Sequence, residues 1–84
     1  MKYSVVWRPL ADYQLADIWL RSGDKQAVAN ASDQIERALG NDPDQLGMPD
    51  DQGWRIVVVP PLVATFEVSV DDRKATVLAI RYRP

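Results

Sequence analysis

The sequence predicts a single α+β domain with the element order β-α-α-β-β-β, in which a two-helix hairpin packs on one face of an antiparallel sheet. Three observations predict this class: an alternating segment at the start, two segments with helical spacing of apolar residues, and three strand-like segments at the end. The 84 residues, 46% of them hydrophobic, suffice for one core. We therefore expect residues 1–84 to form one domain.

The first half of the chain predicts one strand and two helices. Residues 2–8 alternate as a half-buried strand does, and Pro9 suits the first turn of a helix. The first helix is expected over residues 10–22, and a second follows Asp24, which can cap it, and closes at Gly40. The apolar face of the first helix reads Ala11, Leu15, Ile18 and Trp19, and that of the second reads Val28, Ala31, Ile35, Ala38 and Leu39.

The second half predicts a loop and three antiparallel strands. Residues 41–53 are rich in Asp, Pro and Gly, which is typical of an exposed loop. Residues 54–59 are rich in β-branched side chains and stop at two prolines, residues 62–70 alternate, and a charged turn leads into residues 75–82.

A period of two assigns the faces of these three strands. The side expected to meet the helices carries Trp54, Ile56 and Val58, then Leu62, Ala64, Phe66, Val68 and Val70, then Leu78, Ile80 and Tyr82. The open side is expected to carry Arg55, Val57 and Val59, then Val63, Thr65, Glu67 and Ser69, then Val77, Ala79, Arg81 and Arg83.

The amino-acid composition limits the kinds of functional site that the chain can form. The chain has no Cys and no His, which leaves out disulfides, thiolate nucleophiles and the most common general base. A net charge of −2 argues against broad nucleic-acid binding, although the last four residues carry two arginines. We expect no metal and no cofactor, and the Asp-rich loop at residues 42–51 lacks the ligand spacing of a calcium site. With neither a signal peptide nor a membrane segment expected, a cytoplasmic location follows.

The pattern as a whole resembles the RelE/ParE superfamily, the toxins of type II toxin–antitoxin systems. The resemblance lies in residues 8–11 and 15–19, 35–39 with 41–43, 53–56, 63–68, 71–73 and 77–81. It implies that a cognate antitoxin wraps and neutralises the chain. It also implies one of two activities: RelE-like members cut messenger RNA in the ribosome, and ParE-like members poison DNA gyrase. The sequence leaves open whether the chain forms a homo-oligomer.

Carried over by position, Arg55 and Arg83 fall where RelE-like enzymes have basic residues, and Tyr82 is the nearby substitute for their catalytic tyrosine. Val57 and Val63 occupy two further positions where the resemblance implies basic residues. Arg81 joins Arg55 and Arg83 as a candidate phosphate contact, because guanidinium groups match phosphate oxygens.

The remaining candidates each have a plainer interpretation. Glu67 on the open face is a possible base for RNA cleavage, but we favour an ion pair with one of the arginines. The rings of Trp7, Trp19 and Trp54 could stack on bases, but their positions favour core packing. The apolar residues of the open face suit an antitoxin helix or strand lying across the sheet. The alternative to a toxin is a non-catalytic, degenerate protein-binding domain of the same fold.

Overall fold

A computed structural model describes residues 2–51 and 53–84. In chain order these residues form β1 (Ser4–Trp7), α1 (Pro9–Arg21), α2 (Lys25–Asn41), β2 (Met48–Pro49), β3 (Arg55–Val59), β4 (Leu62–Ser69) and β5 (Lys74–Tyr82), with a short 3-10 helix at Pro43–Gln45. The strands make one sheet in the order β1-β5-β4-β3-β2. The predicted α+β class and the order of the main elements are confirmed.

The sheet is mixed, which differs from the fully antiparallel sheet that the sequence predicts. Strands β3, β4 and β5 pair antiparallel as expected, but β1 joins the far side of β5 in parallel. The two-residue β2 adds a short antiparallel edge within the predicted loop. Parallel pairing of β1 with β5 joins segments some seventy residues apart, and such pairing leaves no local signal in the sequence.

Both helices begin at the residues that the sequence predicts. Helix α1 starts at Pro9, and helix α2 is capped by the side chain of Asp24, whose Oδ1 accepts a hydrogen bond from the backbone N–H of Ala27 at 3.1 Å. At the joint, the ammonium of Lys25 donates to the carbonyl oxygens of Trp19, Leu20 and Ser22 at 2.9, 3.1 and 3.3 Å. Lys25 therefore ties the start of α2 to the last turn of α1.

The core lies between the helical hairpin and one face of the sheet. Its buried residues are Ala11, Val28, Ala31, Ile35, Leu39, Val57, Leu62, Ala64, Phe66, Ala75, Val77 and Ile80. Leu62, Ala64 and Phe66 confirm the predicted inward face of β4. Since both helices cover this face, the opposite face of the sheet is open.

Strand β3 is turned over relative to its prediction. Val57 is buried and Val59 packs against the core, whereas Val58 is 55% exposed and Trp54 and Ile56 line a groove on the open face. The prediction that Trp54, Ile56 and Val58 face the helices is therefore wrong. Both faces of this strand are apolar, so alternation alone could not choose between them.

Strand β5 contains an irregularity that the period of two does not anticipate. Thr65 pairs with Ala79 while Phe66 pairs with Val77, which leaves Leu78 as an extra residue. As a result Val77 is fully buried and Leu78 lines the open side, the reverse of the predicted facing, while Ile80 is buried as predicted. The freed N–H of Ile80 donates to Oε1 of Gln14 in α1 at 2.8 Å.

The three tryptophans have different environments. Trp7 packs against the core as predicted, and its Nε1 donates to Oε1 of Glu36 at 2.9 Å. Trp19 is 41% exposed and Trp54 is 38% exposed, so the prediction that they are core residues is wrong. The ring of Trp19 instead lies under the ammonium of Lys25, 4.9 Å from the ring centroid.

Candidate functional site

The open face of the sheet holds a groove of about 650 Å³. Its lining residues are Arg8, Pro9, Leu10, Asp50, Trp54, Ile56, Thr65, Leu78, Ala79 and Arg81. Strands β5, β4 and β3 form the floor, the start of α1 forms one wall, and the turn before β3 forms the other. Most of the lining is apolar, and the positive charges belong to Arg8 and Arg81.

The wall that carries Trp54 is held by a closed turn. The N–H of Asp50 donates to the carbonyl oxygen of Trp54 at 2.7 Å, and the N–H of Trp54 donates back to Oδ1 of Asp50 at 2.8 Å. Gly47, directly before β2, adopts a φ of +71°. A Cβ at Gly47 would collide with the carbonyl oxygen of Ile56, so this close approach requires glycine.

Arg8 and Arg81 are exposed, and their guanidinium groups have no hydrogen bond or ion pair with any residue that the structure describes. Their backbones are nevertheless fixed: the N–H of Arg8 donates to the carbonyl oxygen of Val77 at 3.0 Å, and Arg81 pairs with Val63 in the sheet. The groove therefore presents two guanidinium groups to which no described residue is bonded, on backbones held by the sheet.

Arg55 lies away from this groove. Its Nε donates to the carbonyl oxygen of Leu46 at 2.7 Å, and a second guanidinium nitrogen donates to that of Gly47 at 3.1 Å. The prediction that Arg55 shares the open face with Arg81 is wrong, because β3 is turned over. In this position the guanidinium fastens the segment before β3.

Tyr82 and Arg83 are also separate from the groove. Tyr82 lines a smaller depression of about 260 Å³ on the helix side, beside Ile18 and Arg21 of α1. Arg83 is exposed beyond the end of β5, where its N–H donates to the carbonyl oxygen of Pro61. The structure thus brings Arg81 together with Arg8, and it does not bring Arg55, Tyr82 and Arg83 into the same groove.

Glu67 lies on β4 opposite Thr76 and is exposed. Among the described residues the one ion pair joins Asp17 and Arg21 at 3.1 Å. The prediction that Glu67 pairs with an arginine is therefore wrong. Across residues 2–51 and 53–84 there is no cluster of three or more His, Cys, Asp or Glu side chains that could hold a metal ion. In the same residues no helix has the length and apolar character needed to cross a bilayer.

The arrangement of helices and strands matches two toxin–antitoxin structures along nearly the whole chain. The toxin–antitoxin complex RelBE2 from Mycobacterium tuberculosis matches with a TM-score of 0.81 and 14% sequence identity, over 99% of this chain and 100% of that chain. The chromosomal ParDE toxin–antitoxin system from P. aeruginosa matches with a TM-score of 0.79 and 22% identity, over 99% and 98%. This chain has the RelE/ParE fold. No protein-family model matches its sequence, and a search of curated proteins gave no match.

Within this RelE/ParE fold, sequence reasoning missed several of the groove residues, among them Arg8, Trp54 and Leu78. Arg8 carried a usable signal, because alternation along β1 places it opposite Trp7 and next to the open face. For Trp54 and Leu78 the sequence contained no such signal. Their exposure depends on the facing of β3 and on the extra residue in β5, and both are decided by pairing with β4.

Proposed function

We propose that this chain is the toxin of a type II toxin–antitoxin pair and that it acts by binding a protein target through the groove on its open face. The observation that carries the proposal is the make-up of that groove: it is mostly apolar, it has the exposed Trp54 on the wall next to β3, and on the opposite side it has two guanidinium groups to which no described residue is bonded. Tryptophan and arginine are the residues most enriched among energetic hot spots of protein interfaces. The resemblance to ParE-like toxins implies DNA gyrase as the target.

The partner that neutralises the toxin is, in this proposal, a cognate antitoxin that covers the same face. Two neighbours with this fold are toxin–antitoxin proteins, and the match extends over 99% of the chain. An exposed sheet face with an apolar groove is a surface on which a partner segment can bury its own apolar side chains.

Messenger RNA cleavage is the other activity that the resemblance implies. It needs positive charge at the scissile phosphate together with an acid and a base within hydrogen-bonding reach. The separation of Arg55 and Tyr82 from Arg81 favours protein binding over cleavage. Arg55, Tyr82 and Arg83 stay the candidate catalytic residues for this second activity.

Induced expression in bacteria tests the proposal. We expect growth arrest with signs of DNA damage and intact messages, and we expect Trp54→Ala and Arg81→Glu to relieve the arrest. Arg37→Glu, the same charge change on the exposed side of α2, is the matched control and should arrest growth like the parent. Circular dichroism of each purified variant serves as the check that it is folded.

Other outcomes of this assay count against the proposal. Arrest with cleaved messages that is relieved by Arg55→Ala, Tyr82→Phe or Arg83→Ala would identify a ribonuclease. No arrest at all would indicate the non-catalytic binding domain, an alternative that Val57 supports because it occupies an implied basic position and is buried in the core.

A further inference from the structure

The outer side of α1 carries apolar residues where a surface helix is normally polar. Tyr13 is 71% exposed and Leu20 is 69% exposed, and the small, exposed Ala16 lies between them. At about 100° per residue these three positions fall within about 60° of one another, on the side of the helix opposite the buried Ala11. The outer side of α2, by contrast, carries the exposed polar residues Gln26, Asn30, Asp33, Gln34 and Arg37.

We infer that a second copy of this chain covers the outer face of α1, with the two α1 helices antiparallel across a two-fold axis. Tyr13 of each copy lies against Leu20 of the other, and the two Ala16 residues lie at the crossing. The inference does not depend on the proposed function. Because α1 packs on the covered face of the sheet, the floor of the groove on the other face stays open in the pair.

The positions of the apolar residues suit a two-fold antiparallel pair. When Tyr13 stands level with Leu20 of the second copy, Leu20 stands level with Tyr13 of that copy, so one arrangement makes both contacts. The axis then passes between positions 16 and 17, and the two Ala16 residues are separated by about 1.5 Å along the helix direction. Because alanine is small, the two helix axes can approach to about 8 Å at this point.

The charges on the flank that faces α2 favour this direction. Asp12 and Trp19 line the crevice between α1 and α2, and the ammonium of Lys25 lies over the Trp19 ring. A two-fold axis perpendicular to the helices brings like flanks together, so Asp12 stands level with position 21 of the second copy, next to its Lys25. Among the described residues the carboxylate of Asp12 has no bonded partner, and Lys25 is bonded to three neutral carbonyl oxygens. Each copy therefore offers a carboxylate to an ammonium that no carboxylate compensates.

The opposite flank of α1 does not oppose the pairing. Asp17 comes near the axis there, but it is already in an ion pair with Arg21 of its own helix at 3.1 Å. In a parallel pair, by contrast, the carboxylate of Asp12 and the ammonium of Lys25 lie toward opposite ends of the helices. The two helix dipoles also oppose a parallel pair and favour an antiparallel one.

The size of the face indicates a weak dimer. Helix α1 has 13 residues, and at a rise of 1.5 Å per residue it is about 20 Å long. One face of such a helix is smaller than the roughly 800 Å² per partner of a standard interface. We therefore expect a transient dimer that forms at micromolar concentrations, and its two open grooves give it two binding sites for a symmetric target.

Analytical ultracentrifugation of the purified full chain measures this association. We expect the average mass to rise from that of a monomer toward that of a dimer through the micromolar range. Leu20→Glu should weaken the dimer at least about tenfold, because the pair then buries a charge in an apolar contact. Gln34→Glu adds the same charge on the exposed side of α2 and should leave the dissociation constant within about twofold. Both positions are exposed, so both variants should fold, and circular dichroism checks this.

Cysteine cross-links report the direction of the pair, because the chain has no Cys of its own. Ala16→Cys alone should form a disulfide-linked dimer under mild oxidation. Tyr13→Cys and Leu20→Cys should cross-link efficiently only when the two variants are mixed, because equal positions lie about 10 Å apart along the helices. Gln34→Cys, exposed on α2, gives the background rate of linking.

Three results would overturn the inference. The first is a monomeric mass up to millimolar concentration, which leaves the face to a different protein, and the second is a dimer that Leu20→Glu does not weaken. The third is cross-linking of Tyr13→Cys with itself as fast as in the mixture, which indicates a parallel pair. The growth assay separates these failures from failure of the proposed function. A monomeric chain that arrests growth leaves the toxin role standing, and a dimer that causes no arrest leaves this inference standing without it.

Discussion

Replacing Gln14 by Leu removes the acceptor that the amide of Ile80 uses at the irregularity in β5. In the structure Oε1 of Gln14 accepts this N–H at 2.8 Å, and Ile80 is only 2% exposed. Leu has nearly the size of Gln and keeps water out, so the amide would remain buried without a partner. An unsatisfied buried donor costs about 1–3 kcal/mol of unfolding free energy.

For a domain of this size each kcal/mol corresponds to about 4–8 °C in Tm, so the expected fall is roughly 5–20 °C. Thermal and urea denaturation measure the loss of stability, and hydrogen exchange measured by NMR reports on the amide of Ile80 itself. Protection of that amide should fall further than protection of its neighbours in the sheet.

Two variants control the result. Gln14→Glu keeps an oxygen acceptor at the same reach and should lose less than half as much stability as Gln14→Leu. Gln26→Ala changes a glutamine that is bonded to Asn30 on the exposed side of α2, and it should stay within about 0.5 kcal/mol of the parent. A loss below about 0.5 kcal/mol for Gln14→Leu, with unchanged exchange at Ile80, would show that this bond does not join α1 to β5.

Two further substitutions test the turns that shape the fold. Gly47→Ala places a Cβ against the carbonyl oxygen of Ile56 at positive φ and should cost about 2–4 kcal/mol in urea denaturation. Gly23→Ala, where a Cβ meets open space, should be neutral or stabilising, and equal losses in the two variants would contradict this reasoning. Lys25→Met removes the donors that hold the last turn of α1 and should cost about 1 kcal/mol, whereas Lys2→Met should cost nothing measurable. A Tm for Lys25→Met equal to that of Lys2→Met would refute the capping role.

The candidate site was only partly predictable from the sequence. Alternation along residues 2–8 correctly placed Arg8 opposite Trp7, and the prediction of an open, partly apolar sheet face led to the face where the groove lies. Arg81 was placed correctly because the irregularity in β5 precedes it and the alternation resumes afterwards. Arg55 was misplaced because a strand with valines on both faces gives no sign of its orientation.

Local sequence signals determined the parts of the fold that depend on neighbouring residues. Pro9 opened α1, the side chain of Asp24 capped α2, and the alternation of residues 62–69 gave β4 its inward face. Each of these features arises from contacts within a few residues or from one clear contrast between polar and apolar positions, so a single segment contains the information.

Only the tertiary structure decided the features that depend on pairing between distant segments. These are the parallel pairing of β1 with β5, the choice of which side of β3 faces the helices, and the extra residue at Leu78 in β5. Hydrogen-bond register is shared between two strands, and a shift of one residue on either strand turns every side chain to the other face. For this reason the exposure of Trp54 in the groove, on which the proposed function depends, could be known only after the sheet was assembled.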